Sequence, residues 1–223
     1  MNRREFVVGA GAAVGVSANS RWVAAQAAAG IALTVTLHED ETMPVVPEDF
    51  MGLSYELAQL ADPTFFSAKN RELVEYFKLL SPRGVLRLGG NTSEFCWFKA
   101  TAATPEPKLH VAAGDPKANW MPHELFAVEP KAIEELAGFL KATGWRLIYG
   151  LNFGNSTPER AAEEAAYVAK AVGDRLEYFQ VGNEPDLYTR ANNGTRLEGW
   201  TFVDYVEEWL DRVRAIGARV PAA

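Results

Sequence analysis

The feature that most constrains this chain is a rhythm. Short apolar runs alternate with stretches of helical spacing, and each apolar run ends in a cluster of polar residues. Phe50 to Glu56 is the first run, and Asn70 to Leu80 follows with Leu73, Phe77 and Leu80 on one helical face. Val85 to Leu88 is a second strand, closing on Gly89, Gly90 and Asn91. Pro130 opens a helix, since its missing N–H costs nothing in the first turn, and Ile133, Leu136 and Leu140 carry it to a stop at Gly144. Trp145 to Leu151 is a third strand, ending at Asn152-Phe153-Gly154-Asn155. Thr157 caps and Pro158 begins an alanine-rich helix through about Val172. Leu176 to Val181 is a fourth strand, ending at Gly182-Asn183-Glu184-Pro185-Asp186, and a last helix covers about Phe202 to Ile216. Strands alternating with helices predict parallel βαβ units and an α/β fold.

Parallel α/β folds place their chemistry at the carboxyl ends of the strands, where this sequence gathers Glu56, Asn91, Asn152, Asn155, Asn183 and Glu184. Asn and Gly also simply terminate strands and make turns, but four successive ends carry the same signature. Between Thr92 and Glu129 the rhythm breaks into a long insertion with Pro105, Pro107, Gly114 and Pro116, and with Trp97, Phe98 and Trp120 scattered through it. Its aromatics argue against disorder; they suit the wall of a cleft or local packing equally.

Ahead of the rhythm, Ile31 to Leu37 alternates apolar and Thr residues as a half-buried strand does. Residues 1–27 read as an export leader: Arg3 and Arg4 before Phe6 resemble a twin-arginine signal, a short Gly/Ala/Val run follows, and Ala25-Gln26-Ala27 suits cleavage. That implies a periplasmic or extracellular protein. The apolar run is short of the about 20 residues of a stable membrane span. A dinucleotide site is excluded, because no strand ending in an acid follows the glycines at the required distance.

The net charge of −7, without Lys/Arg runs, lacks the electrostatic footprint of a nucleic-acid binder. The single cysteine, Cys96, makes no internal disulfide, and His38, His110 and His123 have no ligand spacing. Of the strand ends, the fourth carries the strongest chemistry. Glu184 sits beside Asn183, and Pro185 forces it out of helical geometry. At an apolar barrel mouth its charged form would be desolvated, which suits a general acid protonating a leaving oxygen, while Asn183 could bond a substrate hydroxyl. The same residues would also make a plain strand-to-loop turn.

A resemblance decides between these readings. Val46-Pro-Glu-Asp-Phe-Met-Gly-Leu-Ser-Tyr-Glu56, Leu80-Ser-Pro-Arg-Gly-Val-Leu-Arg-Leu-Gly-Gly-Asn91, Gly150-Leu-Asn-Phe-Gly-Asn155 and Val181-Gly-Asn-Glu-Pro-Asp-Leu-Tyr188 occur in order. Together they resemble glycoside hydrolase family 79, the heparanase-like β-glucuronidases, over about residues 31 to 216. The resemblance implies a (β/α)8 TIM barrel with an accessory β-sandwich and retaining hydrolysis of carbohydrates that contain glucuronic acid. Glu184 matches the acid/base and Asn183 the residue contacting the sugar 2-hydroxyl. Glu56 and Asn91 match positions lining the sugar site, and Tyr55 and Asn152 are weaker lining candidates. No metal or organic cofactor is implied.

A retaining glycosidase also needs a second carboxylate as nucleophile. In the resembled family it follows a later strand, and the acids after Glu184 here are Asp186, Glu198, Asp204, Glu207, Glu208 and Asp211, the last four on the final helix. The expectation is therefore a leader over 1–27, a strand region over 28–45 that would pair with the sandwich, and the first four βα units of a barrel over 46–223. Such a chain would be truncated and inactive alone, or completed by a separately encoded C-terminal half. A carbohydrate-binding or structural fragment without catalysis is the alternative.

Overall fold

The computed structural model describes residues 22–26, 32–36, 45–108, 125–190 and 195–220, in two units, residues 1–46 and 47–223, each taken by itself. In the first unit β1 (Trp22–Gln26) pairs antiparallel with β2 (Ala32–Thr36), Trp22 opposite Thr36 and Gln26 opposite Ala32. The alternating strand expected over Ile31–Leu37 is β2. Residues Trp22–Gln26, expected within the leader, are its strand partner; Arg3, Arg4 and Ala27 lie outside the described residues, as do the three histidines and Trp120.

In the second unit every expected strand and helix forms. β3 (Gly52–Glu56), β4 (Val85–Gly89), β7 (Arg146–Leu151) and β8 (Leu176–Val181) make one parallel sheet in the order β3-β4-β7-β8. α1 (Arg71–Leu80), α2 (Pro130–Thr143), α3 (Pro158–Val172) and α4 (Phe202–Arg219) follow these strands in turn. The helix boundaries come from local chemistry. Asn70 accepts the Leu73 amide at the start of α1, and Thr157 accepts the Arg160 amide at the start of α3. Gly144 ends α2 at φ 83°, a left-handed conformation costly to any residue with a Cβ. The described residues thus form a mixed α/β fold of four consecutive βα units around an open parallel sheet.

Side chains alternate across that sheet, and the two faces differ completely. One face sends Leu86, Leu88, Leu147, Tyr149 and Leu151 into a fully buried core with Phe77, Ile133, Leu136, Phe139 and Leu140 of the helices. The other presents Ser54, Arg87, Ile148, Tyr178 and Gln180, with Tyr178 67% exposed. Among the described residues no helix is long and apolar enough to cross a membrane.

Two expectations need correction. Leu80 does not join the buried face of α1; it is exposed, and Val74, one turn before Phe77, is buried instead. Nor is the Thr92–Glu129 stretch a plain loop. Asn91–Phe95 form a 3₁₀ turn, and β5 (Cys96–Phe98) pairs in parallel with β6 (Phe126–Val128). Trp97 and Phe98 are buried, and the Phe98 ring packs 5.0 Å from Tyr167 of α3, so its role is local packing.

Candidate active site

One arginine on β4 ties β3 and β8 together near their carboxyl ends. Arg87, projecting from β4 on the open face, donates from Nη1 to Ser54 Oγ on β3 at 2.8 Å and from Nε to Gln180 Oε1 on β8 at 2.7 Å. Its Nη2 donates to Asn183 Oδ1 at 2.9 Å. A single guanidinium thereby crosses the intervening strand β7. At Gly150 of β7 a Cβ would sit 2.9 Å from the Leu88 carbonyl, so only glycine lets the backbones approach this closely.

Asn183 is 9% exposed and its orientation is fixed. With Oδ1 taken by Arg87, Nδ2 donates to Asn91 Oδ1 at 3.3 Å and to Glu184 Oε2 at 3.4 Å. Those two bonds are long, so Nδ2 is the donor most easily given up to a ligand hydroxyl. Glu184 follows at φ 48°, ψ 57°, and among the described residues it is the one non-glycine with positive φ. A strained backbone of this kind costs of order 1 kcal/mol and persists only where its surroundings enforce it. The Leu187 amide donates to the Glu184 carbonyl at 2.9 Å, and Pro185 disfavours the right-handed alternative. The expected desolvation is absent: the Glu184 side chain is exposed, because the face of β8 that carries Tyr178 is open.

The backbone of Asn183, just before Glu184, is anchored by Glu94, a residue outside the expected set. Its side chain is 1% exposed, and its two oxygens take amide protons from two other strand ends. Oε1 accepts from the Asn183 amide at 2.7 Å; Oε2 accepts from the Phe153 amide at 2.8 Å and from the Gly154 amide. Burial pushes its carboxyl up from the ordinary value, while the Tyr188 hydroxyl and the Gly154, Asn183 and Phe153 amides pull it back. The loop after β7 is gripped from its other side too. Arg212 donates to the Phe153 and Ser156 carbonyls at 2.9 Å, and Arg196 to the Gly154 carbonyl at 2.8 Å. The one sequence signal for Glu94 was its place against the apolar run Phe95 to Phe98.

The other expected residues divide. Glu56, exposed at the end of β3, accepts from the Thr92 amide at 2.8 Å and the Thr92 hydroxyl at 2.7 Å. Gly90 (φ 74°) passes so close that a Cβ there would lie 2.6 Å from Glu56 Cδ. Asn91, Asn183 and Glu184 form one bonded cluster, with Glu56 at the neighbouring strand end. Tyr55 is not part of it: its ring lies 5.2 Å from Phe66 and 5.9 Å from Phe65, on the helix side of the sheet. Asn152 is buried, donating to the Cys96 carbonyl at 2.7 Å and accepting the Asn155 amide at 2.8 Å, so it shapes its loop. Burial holds the Cys96 thiol well above its usual range, which makes it unreactive. No group of three His, Cys, Asp or Glu among the described residues is arranged to hold a metal ion.

The chain is similar to β-glucuronidases. One such protein, from Aspergillus niger, is 27% identical over 210 residues, covering 89% of this chain and 37% of its own length. Another, from Neurospora crassa, is 27% identical over 197 residues, covering 82% and 34%. The chain therefore spans about a third of the length of the β-glucuronidases it matches. No family model matches it. In fold it resembles a 4-O-α-L-rhamnosyl-β-D-glucuronidase from Fusarium oxysporum, solved with Rha-GlcA, at TM-score 0.58 and 17% identity over 79% of this chain and 36% of that one.

Proposed function

We propose that these residues carry the acid/base side of a glucuronide-hydrolysing site of glycoside hydrolase family 79. In this reading the four βα units are the first half of a (β/α)8 barrel, exported behind the leader over residues 1–27, whose removal would take β1 from its pairing with β2. Glu184 protonates the leaving oxygen and then activates water, and Asn183 and Asn91 hold sugar hydroxyls. What carries the reading is the Asn183–Glu184 pair at the end of a parallel strand, locked by Arg87 and Glu94, in a sequence similar to two β-glucuronidases. Exposure of Glu184 to water suits a residue that must reach a leaving group.

Retention requires a second carboxylate about 5–5.5 Å from the first. Glu56 is bound by Thr92 and Glu94 by three amides. Asp204 closes the capping box of α4, Glu208 binds Arg196 and Trp200, and Asp211 pairs with Arg214. The nucleophile in this reading is supplied by sequence outside these 223 residues, in the same polypeptide or a second one. The chain alone is expected to bind glucuronic acid saturably in a calorimetric titration, more weakly after Asn183→Ala, and to leave an aryl β-glucuronide intact. A flat titration would overturn the reading. When the remaining length of the relatives is supplied, turnover should appear and fall about a hundredfold or more in Glu184→Gln.

A further inference from the structure

In a parallel βα unit the helix starts at the end where its strand finishes, so the start of α4 lies at the same end of the sheet as Glu184. Between them is a groove of about 330 Å³. Its lining comprises Pro185, Asp186, Thr189, Trp200, Phe202 and Tyr205. We propose that this groove is the leaving-group pocket of the site and that it takes one uncharged ring; the inference rests on the glycosidase reading above.

Position gives the first argument. A general acid delivers its proton to the oxygen of the departing group, so the surface next to that acid faces the leaving group. The groove begins at Pro185 and Asp186, the residues directly after Glu184.

The rings give the second. Phe202 is 76% exposed, and its ring contact is Tyr205, 6.1 Å away. It adds little to the core, and it is not needed to start α4, which Thr201 and Asp204 cap reciprocally. Trp200, by contrast, is held in place before any ligand arrives. Tyr188 stacks on its indole at 5.7 Å, Glu208 accepts its N–H at 2.9 Å, and the Arg196 guanidinium lies 5.5 Å from its centroid. A rigid aromatic beside an exposed one, framing a cavity, binds the flat face of a ring with little ordering cost.

Charge and size give the third. Among the described lining residues Asp186 is the charged one, so an anionic leaving group is repelled while Thr189 can bond a neutral hydroxyl. The volume is at the lower end for small-molecule sites, about 300–1,000 Å³, and fits a single ring. A phenolic group and a neutral pyranose share this chemistry.

The full 223-residue chain can be titrated calorimetrically with glucuronic acid, phenyl β-glucuronide and a disaccharide of glucuronic acid linked to glucose. At least one ring-bearing ligand should bind about threefold to tenfold more tightly than glucuronic acid. Phe202→Ala should remove that increment without changing the affinity for glucuronic acid, and Phe202→Tyr should keep it. The tighter of the two ring-bearing ligands identifies the source of the ring. Equal affinities with and without the ring, or an increment that survives Phe202→Ala, overturn the pocket and leave the glucuronide reading standing. Binding of phenyl β-glucoside that depends on Phe202, with none of glucuronic acid, upholds the pocket and overturns the glucuronide reading. No heat with any ligand overturns both.

Discussion

The Glu94 carboxylate accepts amide protons from loops that follow two different strands, and it does so where water does not reach. Truncation to alanine leaves the Phe153, Gly154 and Asn183 amides without that acceptor. An unmet buried donor costs about 1–3 kcal/mol, partly offset by removal of a buried charge. Glu94→Ala should therefore lower unfolding free energy by about 3 kcal/mol in urea titration, and the Asn183 amide should lose hydrogen-exchange protection. A change under 1 kcal/mol would refute the assigned role. Nothing in the spacing announced this residue, because its partners are 59, 60 and 89 positions away and no local pattern encodes such a loop contact. Asn183 and Glu184 were legible because strand, Asn, Glu and Pro are contiguous. Tyr55 illustrates the opposite limit. Adjacent strand residues point to opposite faces, so once Glu56 faces the open side, Tyr55 must face the helices.

At the scale of elements, α3 is tied to β7 by one buried polar contact in an otherwise apolar interface. Tyr149 donates to Glu164 Oε1 at 2.7 Å, and both side chains are buried. Burial raises the Glu164 carboxyl from 4.5 to about 7, against the smaller opposing effect of the Tyr149 bond. The folded chain thus holds a proton more tightly than the unfolded one. Its contribution to stability is fully present below about pH 4.5 and is lost as pH rises through 7. Glu164→Gln keeps the shape and an acceptor but does not ionise. Relative to the parent it should gain up to about 3 kcal/mol between pH 5 and pH 8, read from urea midpoints at each pH. A parent–variant difference that stays flat across that range would contradict the linkage. The helices themselves were legible to within a residue or two where capping chemistry was explicit, as at Pro130, Gly144, Thr157 and Pro158. β5 and β6 were not, since three-residue strands about thirty residues apart leave no periodic trace.

At the scale of the second unit, the described residues bury one face of the sheet under helices and leave the other face open. β4 and β7 are paired on both sides and send fully buried Leu and Tyr side chains into the helical layer. β3 and β8, among the described residues, pair on one side only, and none of their side chains is fully buried. Local opening free energies in a protein range from near zero up to the global value, following exactly such differences in burial and pairing. Amides of β4 and β7 should then exchange only on global unfolding. Those of β3 and β8 that point away from the sheet should exchange faster, on the order of a hundredfold. An unpaired edge is also a template for another strand. If the sequence that supplies the nucleophile completes a barrel, it must pair with β8 at one edge and β3 at the other. Adding it should raise protection at both edges together and leave β4 and β7 unchanged. Protection gained at β8 alone would indicate a one-sided strand addition and would contradict closure.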